Sequence, residues 1–126
     1  MPEEYERLVE ALKALEQAED QSAAEPVMVR LPMAEDEWYT RPDTVSYGTV
    51  RLDFEADALH GDNVKQATAY EGSVDLYSMV RSGAGWVELI TAALTDHCEG
   101  CWSLNSHQYD RETGLFLWEW AFQVEE

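Results

Sequence analysis

The sequence predicts an α+β fold: an antiparallel sheet of two hairpins with two helices packed on one face, in the order α-β-β-α-β-β. Three observations predict it. The run Leu115–Val124 alternates almost without fault, with Phe116, Trp118, Trp120, Phe122 and Val124 on one parity and Glu119, Gln123 and Glu125 on the other. Successive side chains of a strand point to opposite faces, so the first set forms one aromatic wall that something must cover. Two other stretches place apolar residues at helical spacing, and turn-forming residues set the strand-like runs apart in pairs.

From the N-terminus, Tyr5, Leu8, Val9, Leu12 and Leu15 follow i, i+3, i+4, i+7 spacing, which predicts an amphipathic helix from Glu3 to about Ala18. Glu3, Glu4 and Glu6 sit in its first turn, where carboxylates favour the helix dipole. Residues 19–44 change character: Pro26, Pro32 and Pro42, many acids and short apolar pieces read as an extended connection, with a brief edge strand near Val27–Leu31. Tyr47–Phe54 puts Val50, Leu52 and Phe54 on one parity. His60-Gly61-Asp62-Asn63 is a turn signal, and Val64–Ser78 reads as a long strand with Tyr70, Val74 and Leu76 on a shared face. These two runs make the first hairpin, and a short helix within Asn63–Ala69 is the alternative start of its second strand.

Ser82-Gly83-Ala84-Gly85 ends that strand and opens a second helix, with Trp86, Leu89, Ile90, Ala93 and Leu94 as its apolar stripe and an end near Gly100. Trp102–Tyr109 and Leu115–Val124, joined by Asp110-Arg111-Glu112-Thr113-Gly114, form the second hairpin. One domain of residues 1–126 accommodates all of this.

The charge is unusual. Eight basic residues against 26 acidic ones give −18. Such a domain repels nucleic-acid phosphate, so sequence-specific binding to nucleic acid through a basic face is not expected. A solvated halo of carboxylates explains the composition, and a basic partner or a DNA-repelling surface are the sharper readings. The acidic start Met1-Pro2-Glu3-Glu4 does not read as a secretory signal, and no uncharged run reaches membrane-spanning length.

Cys98-Glu99-Gly100-Cys101, with His97 and His107 nearby, has ligand types that suit zinc, yet a structural zinc site takes four ligands from two clusters and the second cluster is missing. As a redox pair the motif stands at a helix C-terminus, where the dipole opposes thiolate. Two small thiols packed at a helix end are the simpler reading. Gly83-Ala84-Gly85 lacks the Lys-Ser/Thr of a phosphate-binding loop. Asp53, Glu55, Asp57 and Asp62 gather around His60 without the ligand order of an EF-hand, so they read as solvated turn acids. No nucleophile–base arrangement is legible, which predicts a protein that is not an enzyme and needs no cofactor. Aromatics left uncovered by the helices would serve as interface anchors, and the Glu119, Gln123, Glu125 parity offers a face for a neighbour.

The ordered pieces carry a resemblance. Tyr70-Glu71-Gly72-Ser73-Val74-Asp75-Leu76-Tyr77-Ser78, the helix Trp86–Leu94, Trp102-Ser103-Leu104-Asn105-Ser106-His107-Gln108-Tyr109, Thr113-Gly114-Leu115 and Trp118-Glu119-Trp120-Ala121-Phe122 resemble, in order, segments of the tail-completion or tail-terminator proteins of long-tailed bacteriophages. The resemblance runs from Tyr5 to Val124, and the acidic 19–44 segment departs from it. It implies a non-enzymatic subunit that assembles as a hexameric ring, stops tail-tube growth and docks to the head connector. It also implies assembly in the bacterial cytoplasm and then a place in the virion. A ring around passing DNA gives acidity a use if the acids face inward. Two readings from other classes compete: an acidic DNA mimic that occupies a basic protein surface, and a small zinc-binding module.

Overall fold

A computed structural model describes residues 3–18, 24–38, 40–59 and 65–125, and for 54–59, 65–68 and 125 it describes the backbone alone. The elements are α1 (Glu3–Lys13), β1 (Glu16–Ala18), β2 (Met28–Arg30), β3 (Met33–Glu35), β4 (Ser46–Leu59), β5 (Lys65–Ser78), a single 3₁₀ turn (Gly83–Gly85), α2 (Trp86–His97), β6 (Trp102–Asp110) and β7 (Leu115–Glu125). The fold is therefore mixed α/β, with two helices and two sheets. Five strands form the main sheet in the order β3-β4-β5-β7-β6, and β1 pairs with β2 in a separate two-stranded sheet.

Three expectations need correction. The main sheet is mixed, because β3 joins it parallel to β4 with Met33 opposite Gly48. The backbone explains this edge: Pro32 accepts from the Gly48 amide at 2.8 Å, and Asp36 donates to Val50 at 2.9 Å. A three-residue strand that follows a proline has no alternation to read, so the α-β-β-α-β-β order misses it, as it misses β1.

The second correction is α1, which ends at Lys13 rather than near Ala18. The Ala14 amide is shared between Glu10 and Ala11, at 3.1 and 3.2 Å, a tightening typical of a helix terminus. Leu15 then offers its carbonyl to Leu31 at 3.2 Å, and Glu16–Ala18 pair antiparallel with β2. Periodicity carried the helix on through Leu15, but the nearby segment 28–30 supplies strand partners that a local pattern does not contain. The brief strand expected near Val27–Leu31 is present as β2.

The third correction concerns the first hairpin, whose strands run longer than Tyr47–Phe54 implies. The β4–β5 pairing extends from Ser46↔Ser78 to Leu59↔Lys65, and its register shifts between Leu52 and Phe54, which interrupts the alternation at Asp53. No helix replaces the start of β5. The His60–Asn63 turn lies outside the described residues, as do residues 19–23 of the acidic connection. Among the described residues no helix is long and apolar enough to cross a membrane.

The aromatic wall sits where its parity puts it. Trp118, Trp120, Phe122 and Val124 are buried, and register aligns them with Leu76, Val74, Gly72 and Tyr70 of β5. Tyr5, Leu8, Val9 and Leu12 of α1 and Trp86, Ile90, Ala93 and Leu94 of α2 belong to the same buried cluster. Tyr5 stacks on Phe122 at 6.3 Å between ring centroids. Phe116, last on this parity, is only half-buried and lies 4.8 Å from the ring of Tyr109. We call the side facing the helices the inner face and the opposite side the outer face.

One contact fixes how tightly the central strands close. A Cβ on Gly72 would strike the Arg51 carbonyl oxygen, and it would lie 2.5 Å from Cζ of Phe122. The ring of Phe122 thus occupies space that any other residue at 72 would need.

Candidate functional site

Two places stand out: the Cys98–Cys101 turn named by the sequence, and a groove on the outer face of which strand parity named Glu119 and Gln123.

At the turn, Cys101 donates its amide to the Cys98 carbonyl at 2.7 Å, and Glu99 and Gly100 both have positive φ, 49° and 80°. This is a type I′ turn, a conformation that suits glycine at 100 and strains Glu99. It turns the chain directly from α2 into β6. Both cysteines are free; Cys98 is buried and Cys101 exposed. Burial first, then the neighbouring Cys101 and Glu4, push the Cys98 thiol up to about 12, so it stays protonated at neutral pH. Glu4, His97, Cys98 and Cys101 border one small cavity of about 150 Å³, where His97 Nδ1 stands 4.0 Å from Glu4 Oε2. His107 is elsewhere: on β6 it stacks on Trp118 at 4.5 Å between centroids. Among the described residues, no three His, Cys, Asp or Glu side chains converge well enough to hold a metal ion. The acids around His60 lie largely outside the described residues; of that group only the side chain of Asp53 is described.

The outer face holds the second place. Register sets Arg51, Ser73, Ala121 and Ser103 in one row across four strands, and Thr49, Asp75, Glu119 and Ser106 in the next. Ser73, Ala121 and Ser103 are small, so their row is a trough, while Arg51, Glu71, Glu119 and Gln123 are long enough to stand as walls. The result is an open groove of about 560 Å³ lined by these residues together with Asp53, Trp102 and Asn105. Tyr47 and Tyr77 stack at 4.9 Å on the same face beyond Asp75, and Trp38 meets Tyr47 edge-on.

The electrostatics of this groove are unbalanced. Asp75 is 6 % exposed, on the middle strand of the sheet. Its Oδ2 accepts a long hydrogen bond from Thr49 at 3.4 Å and lies 3.7 Å from Arg51 Nη1. Its Oδ1 has no hydrogen-bond partner among the described residues, and neither does Ser73 Oγ one step along the same face. Arg51 is committed elsewhere too, with Nε at 2.8 Å from Asp53. Loss of hydration raises the Asp75 carboxyl above the usual carboxylate range; Arg51 and Thr49 oppose that rise, and Glu119 and Asp53 add to it.

Of the interface positions proposed from sequence, Glu119 and Gln123 line this groove, and the side chain of Glu125 lies outside the described residues. The pattern missed Arg51, Ser73 and Asp75. A signal was present: Asp75 is a carboxylate between Val74 and Leu76 in the middle of a strong strand, and acids are depleted at such positions. No protein-family model matches the chain, and no curated protein sequence is significantly similar to it.

Proposed function

We propose that this protein is a virion assembly subunit that works by self-association, in the manner of the phage tail-completion and tail-terminator proteins its sequence resembles. On this reading it forms a homo-oligomeric ring, hexameric by resemblance, between tail tube and head connector, and it performs no catalysis.

The observation that carries the reading is the β4–β5 ribbon. Among the described residues, β7 flanks β5 from Ala69 to Ser78, and β3 flanks β4 from Gly48 to Val50. The hairpin continues past both, through Ala56↔Ala69 to Leu59↔Lys65. At ~3.3 Å per residue, this two-stranded extension reaches roughly 13 Å beyond the end of β7. A two-stranded ribbon is marginal by itself, and its open edges offer backbone donors and acceptors to another chain. When every copy carries the same arm and the same receiving surface, head-to-tail contacts close into a ring. The acidity adds support, since a lumen lined by carboxylates repels DNA phosphate.

Multi-angle light scattering of the purified protein tests this. The expected result is a closed oligomer that returns to monomer when residues 57–68 are replaced by a two-residue Asn-Gly turn joining the paired Ala56 and Ala69. A strict monomer at high concentration that binds neither tail-tube nor connector protein overturns the reading.

A further inference from the structure

We infer that the outer-face groove is a docking site for an arginine side chain presented by a partner protein, with Ser73 in its lining and Asp75 beside it as acceptors and Glu119 and Glu71 as its flanking charges. The inference goes beyond ring assembly and does not depend on it.

Buried polar atoms in folded proteins are almost always hydrogen-bonded, and an exception calls for a reason. Here two exceptions are adjacent: Asp75 Oδ1 and Ser73 Oγ, on residues each 6 % exposed, have no partner among the described residues. They lie two positions apart on β5 and project to the same outer face. Ser73 lines the groove directly. The carboxylate oxygen accepts and the serine hydroxyl can accept or donate, so a group with several donors satisfies both.

Charge then narrows the donor. Arg51 interacts with Asp53, Asp75 and Glu119, and Glu71 lines the same groove, so among the described residues its one cation is outnumbered by carboxyl groups. A neutral donor would leave that imbalance in place; a cation removes it. Shape selects among cations. The trough over Ser73, Ala121 and Ser103 is open at the surface, and its acceptors are separated along one strand. A guanidinium has five N–H donors in a planar fork and bridges separated acceptors, whereas an ammonium is a compact point charge. Arginine is also the less strongly hydrated of the two, so burial against a sheet face opposes it less. Beyond Asp75 the chain already sets a guanidinium on an aromatic ring of this face, Arg41 over Tyr47 at 5.8 Å.

The test uses the full-length protein, with hexa-arginine and hexa-lysine peptides as probes, followed by calorimetry and by amide NMR. Hexa-arginine is expected to bind more tightly than hexa-lysine and to move the amides of Ser73–Tyr77 and Ala121–Gln123 first. Asp75→Asn, which preserves shape, is expected to weaken hexa-arginine binding about tenfold or more, as removal of one member of a buried charge pair does. Glu112→Gln, which removes one charge on the β6–β7 turn outside the groove, is expected to change it less than about twofold. Equal losses in both variants, or shifts spread over the whole acidic surface, overturn the inference, because either result means a diffuse attraction to a chain of charge −18. Groove amides that respond to protein concentration but not to peptide also overturn it, since a second copy then fills the groove. The wild-type shift map stands even if a variant fails to fold.

Discussion

The two faces of the main sheet share the same strands but follow opposite physical rules. On the inner face Val50, Val74, Leu76, Trp118, Trp120, Phe122 and Val124 interlock with both helices, and the area removed from water stabilises the fold. One residue along each strand, Thr49, Arg51, Ser73, Asp75, Glu119 and Gln123 form a polar floor and rim without a helical cover. Among the described residues the inner face leaves one polar atom without a partner, the Trp120 indole N–H, while the outer face leaves two neighbouring ones, Asp75 Oδ1 and Ser73 Oγ. The comparison teaches that burial alone does not separate structure from function. Asp75 is nearly as buried as Trp118, at 6 % against 3 % exposure, yet only Asp75 lacks the partners its chemistry demands.

The comparison can be broken most forcefully from the inner side. Trp120 is fully buried, so Trp120→Ala opens a large cavity and is expected to lower the unfolding free energy by about 3–5 kcal/mol, measured by urea denaturation. A loss below 1 kcal/mol would mean that the wall is not the core. Gly72→Ala comes next, at about 1–3 kcal/mol, because its Cβ meets the Arg51 backbone and the Phe122 ring and the strand pair cannot open freely. Phe122→Leu in the same chain should recover part of that loss; if it recovers none, the backbone contact dominates.

Polar atoms at the end of the inner face sharpen the contrast, since they are satisfied. Ser46 and Ser78 hydroxyls pair at 2.8 Å, and Ser78 Oγ also accepts the Val80 amide at 3.0 Å. Ser78→Ala therefore strands two groups and is expected to destabilise by about 1–2 kcal/mol in thermal unfolding.

The smallest effect has the opposite sign. The folded state holds the Asp75 proton more tightly than the unfolded chain does, so its penalty is absent below the ordinary carboxylate pKa and grows as pH rises through the raised value. Asp75→Asn should thus melt above the wild type at pH 7, with the gap closing toward pH 3. Arg51 and Thr49 soften the penalty, and Asp53 and Glu119 deepen it. A variant less stable than wild type at pH 7 would show that the Arg51 and Thr49 contacts already satisfy the carboxylate.

How much was legible in the sequence follows from the range of the forces involved. The aromatic parity of Trp118–Val124 and the Trp86–Leu94 stripe are local periodic signals, and both elements stand where those signals put them. The end of α1 was not legible, because Leu15 fits the helical stripe yet its carbonyl is taken by Leu31, sixteen positions on. The parallel edge strand β3 was not legible either, because its hydrogen bonds go to Gly48 and Val50 from a stretch with no alternation. For the groove, Glu119 and Gln123 were named from parity alone, while Ser73 and Arg51 became neighbours only through the register of β4 on β5.

The sequence by itself determined the core-facing stripes of the two helices and the buried parity of Trp118–Val124, since parity in strands and 3.6-residue spacing in helices are properties of the backbone. It also determined the strongly acidic character of the chain. The tertiary structure alone decided strand order and register, and with them the setting of Asp75. A carboxylate's surroundings are made by residues distant in the chain: Thr49 and Arg51 on one side, Glu119 on the other. Desolvation and unpaired hydrogen-bonding capacity arise only when those strands come together, and no local pattern encodes them.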